Sequence, residues 1–272
     1  MKTLSIIVPV YNGAPGIRDS LLALCGYLER RGEGELVVVD DGSSDGTAEL
    51  LADFAASPAR QLVDFKRLTN PTNRGKGNAV RRGLLAARGA LRVFTDADLA
   101  YPVENLPALE ACLISGADIA IANRVHPESR YVLEPSRLEG FSKRHALGRL
   151  FNSMVRLALL PGVEDTQAGL KGLTREATLS IVPRLRMDRF AFDVELLYAA
   201  SRLGLRVGEV PVRFHYAGNE SSLQLARDGG RMLLDLLQLK RLAYGGAYER
   251  PDTSEGRLLE AEPALEPTER AD

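Results

Sequence analysis

Short runs of consecutive apolar residues recur through the first 125 residues, each separated from the next by a segment of helical period. Leu4 to Val8, Leu36 to Val39, Leu62 to Leu68, Ala90 to Thr95 and Asp118 to Ala122 read as strands. Ile17 to Leu28, a segment capped by Asp45 and running through Phe54, Gly77 to Ala87 and Leu106 to Ile114 read as the intervening helices. A strand that is apolar at every position has no solvent face, so it belongs in a parallel sheet covered by helices on both sides. This alternation predicts an α/β fold with a mostly parallel central sheet. In such sheets ligands bind beyond the carboxyl ends of the strands. That edge should carry Tyr11-Asn12, Asp40-Asp41 and Asp96-Ala97-Asp98, each directly after a strand.

The second half is less regular. Val125 to Gly140 has no clear period and reads as a long mobile loop. Helices are expected at about 143–159, 175–182, 191–203 and 223–244, with a strand at 206–212. From Glu249 to Asp272 acids and prolines dominate and apolar surface is scarce, which predicts a disordered acidic tail. Residues 1–248 then form a single domain, with 1–123 and 124–248 as its regular and less regular halves.

Composition excludes several functions. A net charge of −1 argues against a nucleic-acid binder. Two cysteines, Cys25 and Cys112, with three histidines make neither a disulfide framework nor a zinc centre. The longest apolar stretches are too short to span a membrane. Met1-Lys2-Thr3 runs straight into a strand, so a cytoplasmic chain, soluble or peripheral at the inner face of the membrane, is expected.

The strongest chemical feature is Asp96-Ala97-Asp98. On extended backbone, residues two apart share a side, so both carboxylates can face one ligand. Two hard oxygen donors at a strand end suit Mg2+ or Mn2+ held jointly with phosphate oxygens. Asp40 and Asp41, straight after a buried strand, could accept hydrogen bonds from a nucleobase or ribose. Gly75-Lys76-Gly77 precedes a helix, where backbone amides and the dipole favour an anion, and Lys76 adds a point charge for a diphosphate. That segment matches neither the P-loop pattern nor G-x-G-x-x-G.

Together, Ile6-Ile7-Val8-Pro9-Val10-Tyr11-Asn12, the 39–47 loop, Asn73-Arg74-Gly75-Lys76-Gly77 and Asp96-Ala97-Asp98 resemble family 2 glycosyltransferases of the GT-A fold. Asp165-Thr166-Gln167-Ala168-Gly169-Leu170-Lys171 and Arg189-Phe190-Ala191-Phe192-Asp193-Val194-Glu195-Leu196-Leu197 are similar to the dolichyl-phosphate β-glucosyltransferase branch, the polyprenyl-phosphate mannosyltransferases being more distant. The resemblance implies a Rossmann-like nucleotide-diphospho-sugar transferase fold. It also implies an inverting transfer of a hexose, glucose from UDP-glucose, to a polyprenyl or dolichyl phosphate. By the same resemblance Pro9, Tyr11, Asn12, Asp40, Asp41, Lys76, Asp96, Ala97 and Asp98 hold the nucleotide sugar. Asp96 and Asp98 hold the Mg2+ or Mn2+, Asp165 and Asp98 serve catalysis, and Gln167 lies in the acceptor site.

Between Arg124 and Arg156, seven lysines and arginines face three glutamates, interleaved with Tyr131, Phe141 and Phe151. Arg124, Arg130 and Arg137 are the candidates for a phosphate-bearing acceptor at a membrane surface. A phosphate monoester is mostly dianionic at neutral pH and needs no base, whereas a hydroxyl acceptor would make Asp165 the base. The alternatives are a glycosyltransferase for a soluble phosphorylated or hydroxyl acceptor, and a sugar nucleotidyltransferase. The latter would want a basic glycine-rich loop where this chain has Tyr11-Asn12-Gly13-Ala14-Pro15.

Overall fold

The computed structural model describes residues 3–57, 63–133, 152–153, 155–157, 159–189, 191–216 and 225–249. The first half runs β1 (Leu4–Val10), α1 (Ile17–Arg31), β2 (Glu35–Asp40), α2 (Thr47–Ala56), β3 (Asp64–Thr69), α3 (Lys76–Ala86), β4 (Leu91–Phe94), α4 (Leu106–Ile114) and β5 (Ile119–Asn123). The second adds β6 (Arg130–Leu133), β7 (Lys171–Thr174), α5 (Arg175–Ile181), α6 (Phe192–Arg202), β8 (Val207–Pro211), β9 (Arg213–Tyr216) and α7 (Leu225–Tyr244).

Seven strands form one sheet in the order β3-β2-β1-β4-β7-β5-β8, and β6 pairs with β9 in a small separate ribbon. The mostly parallel α/β sheet expected from the apolar runs is present. Alternation along the strands divides the core. Ile7, Val37, Val39, Phe94 and Ile121 face the side packed by α3, α5, α6 and α7. Leu4, Ile6, Val8, Leu36, Val38 and Val93 face the side packed by α1, α2 and α4. With both faces covered, every position of β1 and β2 is buried, which is why these strands read as unbroken apolar runs.

Three strands differ from expectation. Arg130–Leu133 falls inside the segment read as a loop, yet pairs in parallel with β9, itself unforeseen. The third is β7, which lies antiparallel between β4 and β5. Its first residue, Lys171, is in register with Phe94 on one side and Ile121 on the other. An antiparallel strand begins at the edge where its parallel neighbours end. The segment entering β7 is therefore delivered beside the carboxyl ends of β4 and β5. Most of the helix expected at about 143–159 and the expected tail beyond Glu249 lie outside the described residues.

Candidate active site

At the carboxyl edge the loops after β1 and β2 are stitched together. The Asn12 amide donates to Ser43 Oγ and the Ser44 amide to Asn12 Oδ1, both at 2.9 Å. Asn12 holds positive φ (51°), a conformation that asparagine tolerates better than most residues. Gly13 donates to Thr47 Oγ1 (2.9 Å) and Ala14 to Asp45 Oδ2 (3.0 Å). Asp45, expected to cap α2, instead precedes the cap residue Gly46 and takes the amide of the first helical residue, Thr47 (3.1 Å). Tyr11 stands half-exposed on this edge, while Pro9 is buried inside β1 opposite Val39.

Asp40 and Asp41 are both buried and already engaged. Asp40 Oδ1 accepts the Ser43 amide at 3.0 Å, closing the turn after β2. Asp41 accepts from Asn70 Nδ2 (2.5 Å) and from the amides of Arg74 (3.0 Å) and Gly75 (2.7 Å). Asp41 thus fixes the loop that carries Lys76. In that loop Gly75 has φ 101°, and a Cβ there would lie 2.5 Å from the Asp188 carbonyl oxygen. A Cβ on Gly77 would lie 2.5 Å from the Phe192 Cβ. These glycines let Met187, Asp188 and Phe192 close over the start of α3, and the Asn78 amide donates to the Asp188 carbonyl at 3.2 Å. The helix start expected to offer its amides to an anion is partly covered by protein.

Beyond β4, the chain turns through Asp96, Ala97, Asp98 and Leu99, the last with φ 47°. The Ala97 side chain packs against the apolar cluster below, while Asp96 is half-buried and Asp98 exposed. Asp98 Oδ1 accepts the Ala100 amide (3.1 Å) and Asp96 Oδ1 binds Lys76 Nζ (2.7 Å). Crowding by protein atoms, followed by the like charge of Asp96, raises the Asp98 carboxyl above its usual range. For Lys76, burial opposes the charge, but Asp96 and Asp193 outweigh it and push the ammonium pKa upward.

The segment leading into β7 meets these acids. A Cβ on Gly169 would lie 1.8 Å from Asp96 Oδ2, so only glycine lets the Asp96 carboxylate rest against this backbone. Asp165 is 3% exposed and bound by Arg124 along both edges: Nε to Oδ2 at 2.7 Å and Nη2 to Oδ1 at 2.8 Å. The amides of Arg124 (2.9 Å) and Gln167 (3.3 Å) complete its shell. Burial would raise the Asp165 carboxyl, but Arg124 more than offsets it and holds the group below its usual range. The Arg124 guanidinium lies 5.7 Å from the Phe214 ring centroid, and Tyr101 and Tyr131 flank that ring.

The structure therefore brings Lys76, Asp96, Asp98, Arg124, Asp165 and Gln167 to one edge. Arg130, on β6, lines a different concavity of about 390 Å³ with Glu104, Glu128 and Arg213. Arg137, Phe141 and Phe151 lie outside the described residues.

Sequence reasoning assigned no role to three buried charges behind this edge. Lys171 Nζ binds Asp193 Oδ1 at 2.5 Å and the Ala168 carbonyl at 2.6 Å, and Asp193 Oδ2 lies 3.9 Å from Lys76 Nζ. Glu195 takes the amides of Arg186 and Met187 (2.8 Å each) and the Tyr248 hydroxyl (2.6 Å), holding the segment that covers α3. The signal was present: Phe192-Asp193-Val194-Glu195-Leu196-Leu197 puts two acids in an otherwise apolar run, and buried acids require partners.

Among the described residues no group of three or more histidine, cysteine and acidic side chains forms a metal site. The donor set is Asp96 and Asp98. Two close carboxylates, balanced by one lysine, fit a divalent cation whose other ligands are phosphate oxygens.

A family model described as glycosyl transferase family 2 matches residues 5–178. A dolichyl-phosphate beta-glucosyltransferase of Trichomonas vaginalis is 31% identical, covering 95% of this chain and 77% of the relative. The enzyme of the same name from Saccharomyces cerevisiae is 32% identical, over 89% of this chain and 75% of the relative. The Drosophila melanogaster enzyme is 35% identical, over 78% and 66%. Among solved structures, glucosyl-3-phosphoglycerate synthase from Mycobacterium tuberculosis with Mg2+ and UDP superposes with TM-score 0.61 at 21% identity, covering 88% of this chain and 79% of that one. The same synthase with Mn2+ and UDP-glucose gives 0.55 at 20% identity, with the same coverage.

Proposed function

Because this chain belongs to glycosyl transferase family 2 and is a hexosyltransferase with a GT-A-type fold, we propose that it moves glucose from UDP-glucose to a polyprenyl phosphate such as dolichyl phosphate. The observation that carries the phosphate acceptor is the state of Asp165. A hydroxyl acceptor needs a general base, and Asp165 is the acid best placed by sequence. Its oxygens are held by Arg124 and by backbone amides, and its proton affinity is low. A carboxylate so engaged is a poor base. A phosphate monoester, with a second pKa of about 6, arrives largely deprotonated and needs none.

In this reading Asp96 and Asp98 hold a Mg2+ or Mn2+ ion, which when bound neutralises charge on the departing UDP. Lys76, between Asp96 and Asp193, adds a positive charge beside that position. Asp165 is a positioning residue: by binding Nε and Nη2 it orients the Arg124 guanidinium so that the Nη1 end is turned to a phosphate oxygen. Phe214, with Tyr101 and Tyr131, walls that guanidinium on one side. Inversion follows from a single displacement, with the phosphate oxygen attacking the anomeric carbon as the bond to UDP breaks.

We place the reaction at a membrane surface, where a lipid phosphate resides, with the protein peripheral to it. No helix among the described residues is long and apolar enough to cross a membrane. The test is butanol extraction of labelled glucose after incubation with UDP-glucose, Mn2+ and either dolichyl or undecaprenyl phosphate, with 3-phosphoglycerate as the water-soluble arm. Label in the organic phase supports the reading; label only on the soluble phosphate overturns it.

A further inference from the structure

Behind the donor site the charges form a ladder: Asp96, Lys76, Asp193, Lys171 and the Ala168 carbonyl. The rungs are unequal. Lys76 Nζ sits at hydrogen-bond distance from Asp96 (2.7 Å) and just outside it from Asp193 (3.9 Å). Asp193 is 4% exposed, and its Oδ1 is fixed by the fully buried Lys171. Its Oδ2 faces Lys76. Asp96 Oδ2 lies against the Gly169 backbone, on the side away from the Oδ1 that binds Lys76.

We propose that Lys76 is the counter-ion that occupies the divalent-cation position at Asp96 in the free protein, and that Asp193 is the berth onto which it closes when cation and nucleotide diphosphate load together. The inference rests on the metal assignment made above and is independent of which sugar or acceptor is used. An ammonium on a flexible stem is a compact charge that can substitute for a cation at a carboxylate. A dication arriving alone would meet that ammonium at close range, and at a few ångströms such repulsion is strong. A diphosphate brings the negative charge that makes the exchange favourable, and Asp193 receives the displaced lysine. Asp193 thus acts through Lys76, as a positioning residue, and touches neither donor nor metal.

The experiment is Mn2+ binding to the full chain, read from the electron-paramagnetic signal of free Mn2+, without and with UDP. Wild type should bind Mn2+ weakly alone and tightly with UDP. Lys76→Met should tighten binding of Mn2+ alone by roughly tenfold, because the competing charge is gone. Lys76→Arg, which keeps the charge, should behave as wild type. Asp193→Asn should weaken Mn2+ alone by about threefold or more in the wild-type background, yet shift it by less than about twofold in the Lys76→Met background, since its effect passes through the lysine.

Equal Mn2+ affinities for wild type and Lys76→Met overturn the proposal. So does an Asp193→Asn effect of the same size in both backgrounds, the result expected of simple long-range charge. If Asp193→Asn does not fold, the nitrogen resonance of the Lys76 ammonium decides the berth. It should move when Mg2+ and UDP are added together, and an unmoved signal overturns it. No Mn2+ binding by wild type even with UDP would instead strike down the metal assignment, and this inference with it.

Discussion

At the scale of single residues, the acids of this site divide by what they touch. Asp98 is exposed, with its carboxyl pushed up by crowding and by Asp96, so its loss should be felt in ligand binding rather than in folding. Asp98→Ala should abolish the Mn2+ dependence of UDP binding in calorimetry while the melting temperature stays near that of wild type. Asp165 is the opposite case. Asp165→Ala removes the buried member of a bidentate pair whose Arg124 side chain stays partly exposed to water, a change that costs about 1.5–3 kcal/mol. Denaturant unfolding should show that loss, and a variant as stable as wild type would refute the pairing. Cys25 belongs to neither class. Burial, followed by the nearby Glu29, pushes its thiol up to about 11, so iodoacetamide at pH 8 should leave it unmodified in the native protein.

Among the elements, β7 does most to build the site, and it was the least legible. The strands β1, β2, β4 and β5 announce themselves because burial on both faces demands apolar residues throughout. Lys171-Gly172-Leu173-Thr174 carries one large apolar side chain and starts with a lysine. Nothing in its period says strand; only its neighbours make it one. The β6 and β9 pair escaped notice for the same reason, being short and charged at Arg130 and Arg213. Asp96 and Asp98 were legible as a candidate pair because two acids one residue apart, straight after an apolar strand, stand out in the sequence itself. Asp193 and Lys171 were not assigned, since their role depends on a pairing between distant segments. Gly169, on the approach to β7, offers a test of that geometry. Gly169→Ala would force the Asp96 carboxylate off its present position, because the new Cβ would lie 1.8 Å from Oδ2. The neighbour is the mobile end of a side chain, so the fold should survive while UDP–Mn2+ affinity falls. Unchanged affinity would show that Asp96 can serve from another rotamer.

For the whole molecule, buried carboxylates set the acid limit. Glu35 is 5% exposed and accepts from Ser5 Oγ at 2.6 Å and from the Arg88 and Gly89 amides. Burial raises its proton affinity, but those hydrogen bonds and the Arg88 charge bring the net shift below the usual 4.5. Asp165 is likewise held below its usual 3.8 by Arg124. A group whose folded value is depressed stabilises the fold above its unfolded value, and that contribution disappears as pH falls through the folded one. Stability should therefore be flat through neutrality and decline from about pH 4.5 downward. Substituting Glu35 by Gln and Asp165 by Asn should flatten this acid limb, measured as melting temperature against pH.

The insertion of β7 between β4 and β5 also dictates when this protein can fold during its own synthesis. A nascent chain that has reached Asn123 holds β1 to β5, but the strand that joins β4 to β5 begins only at residue 171. Until that strand emerges, β4 and β5 each present an unpaired edge, the kind of surface that recruits chaperones or other strands. A gene fragment ending at Asn123 would encode the nucleotide-side acids yet leave them on an unfinished sheet, so it should neither bind UDP nor stay monomeric.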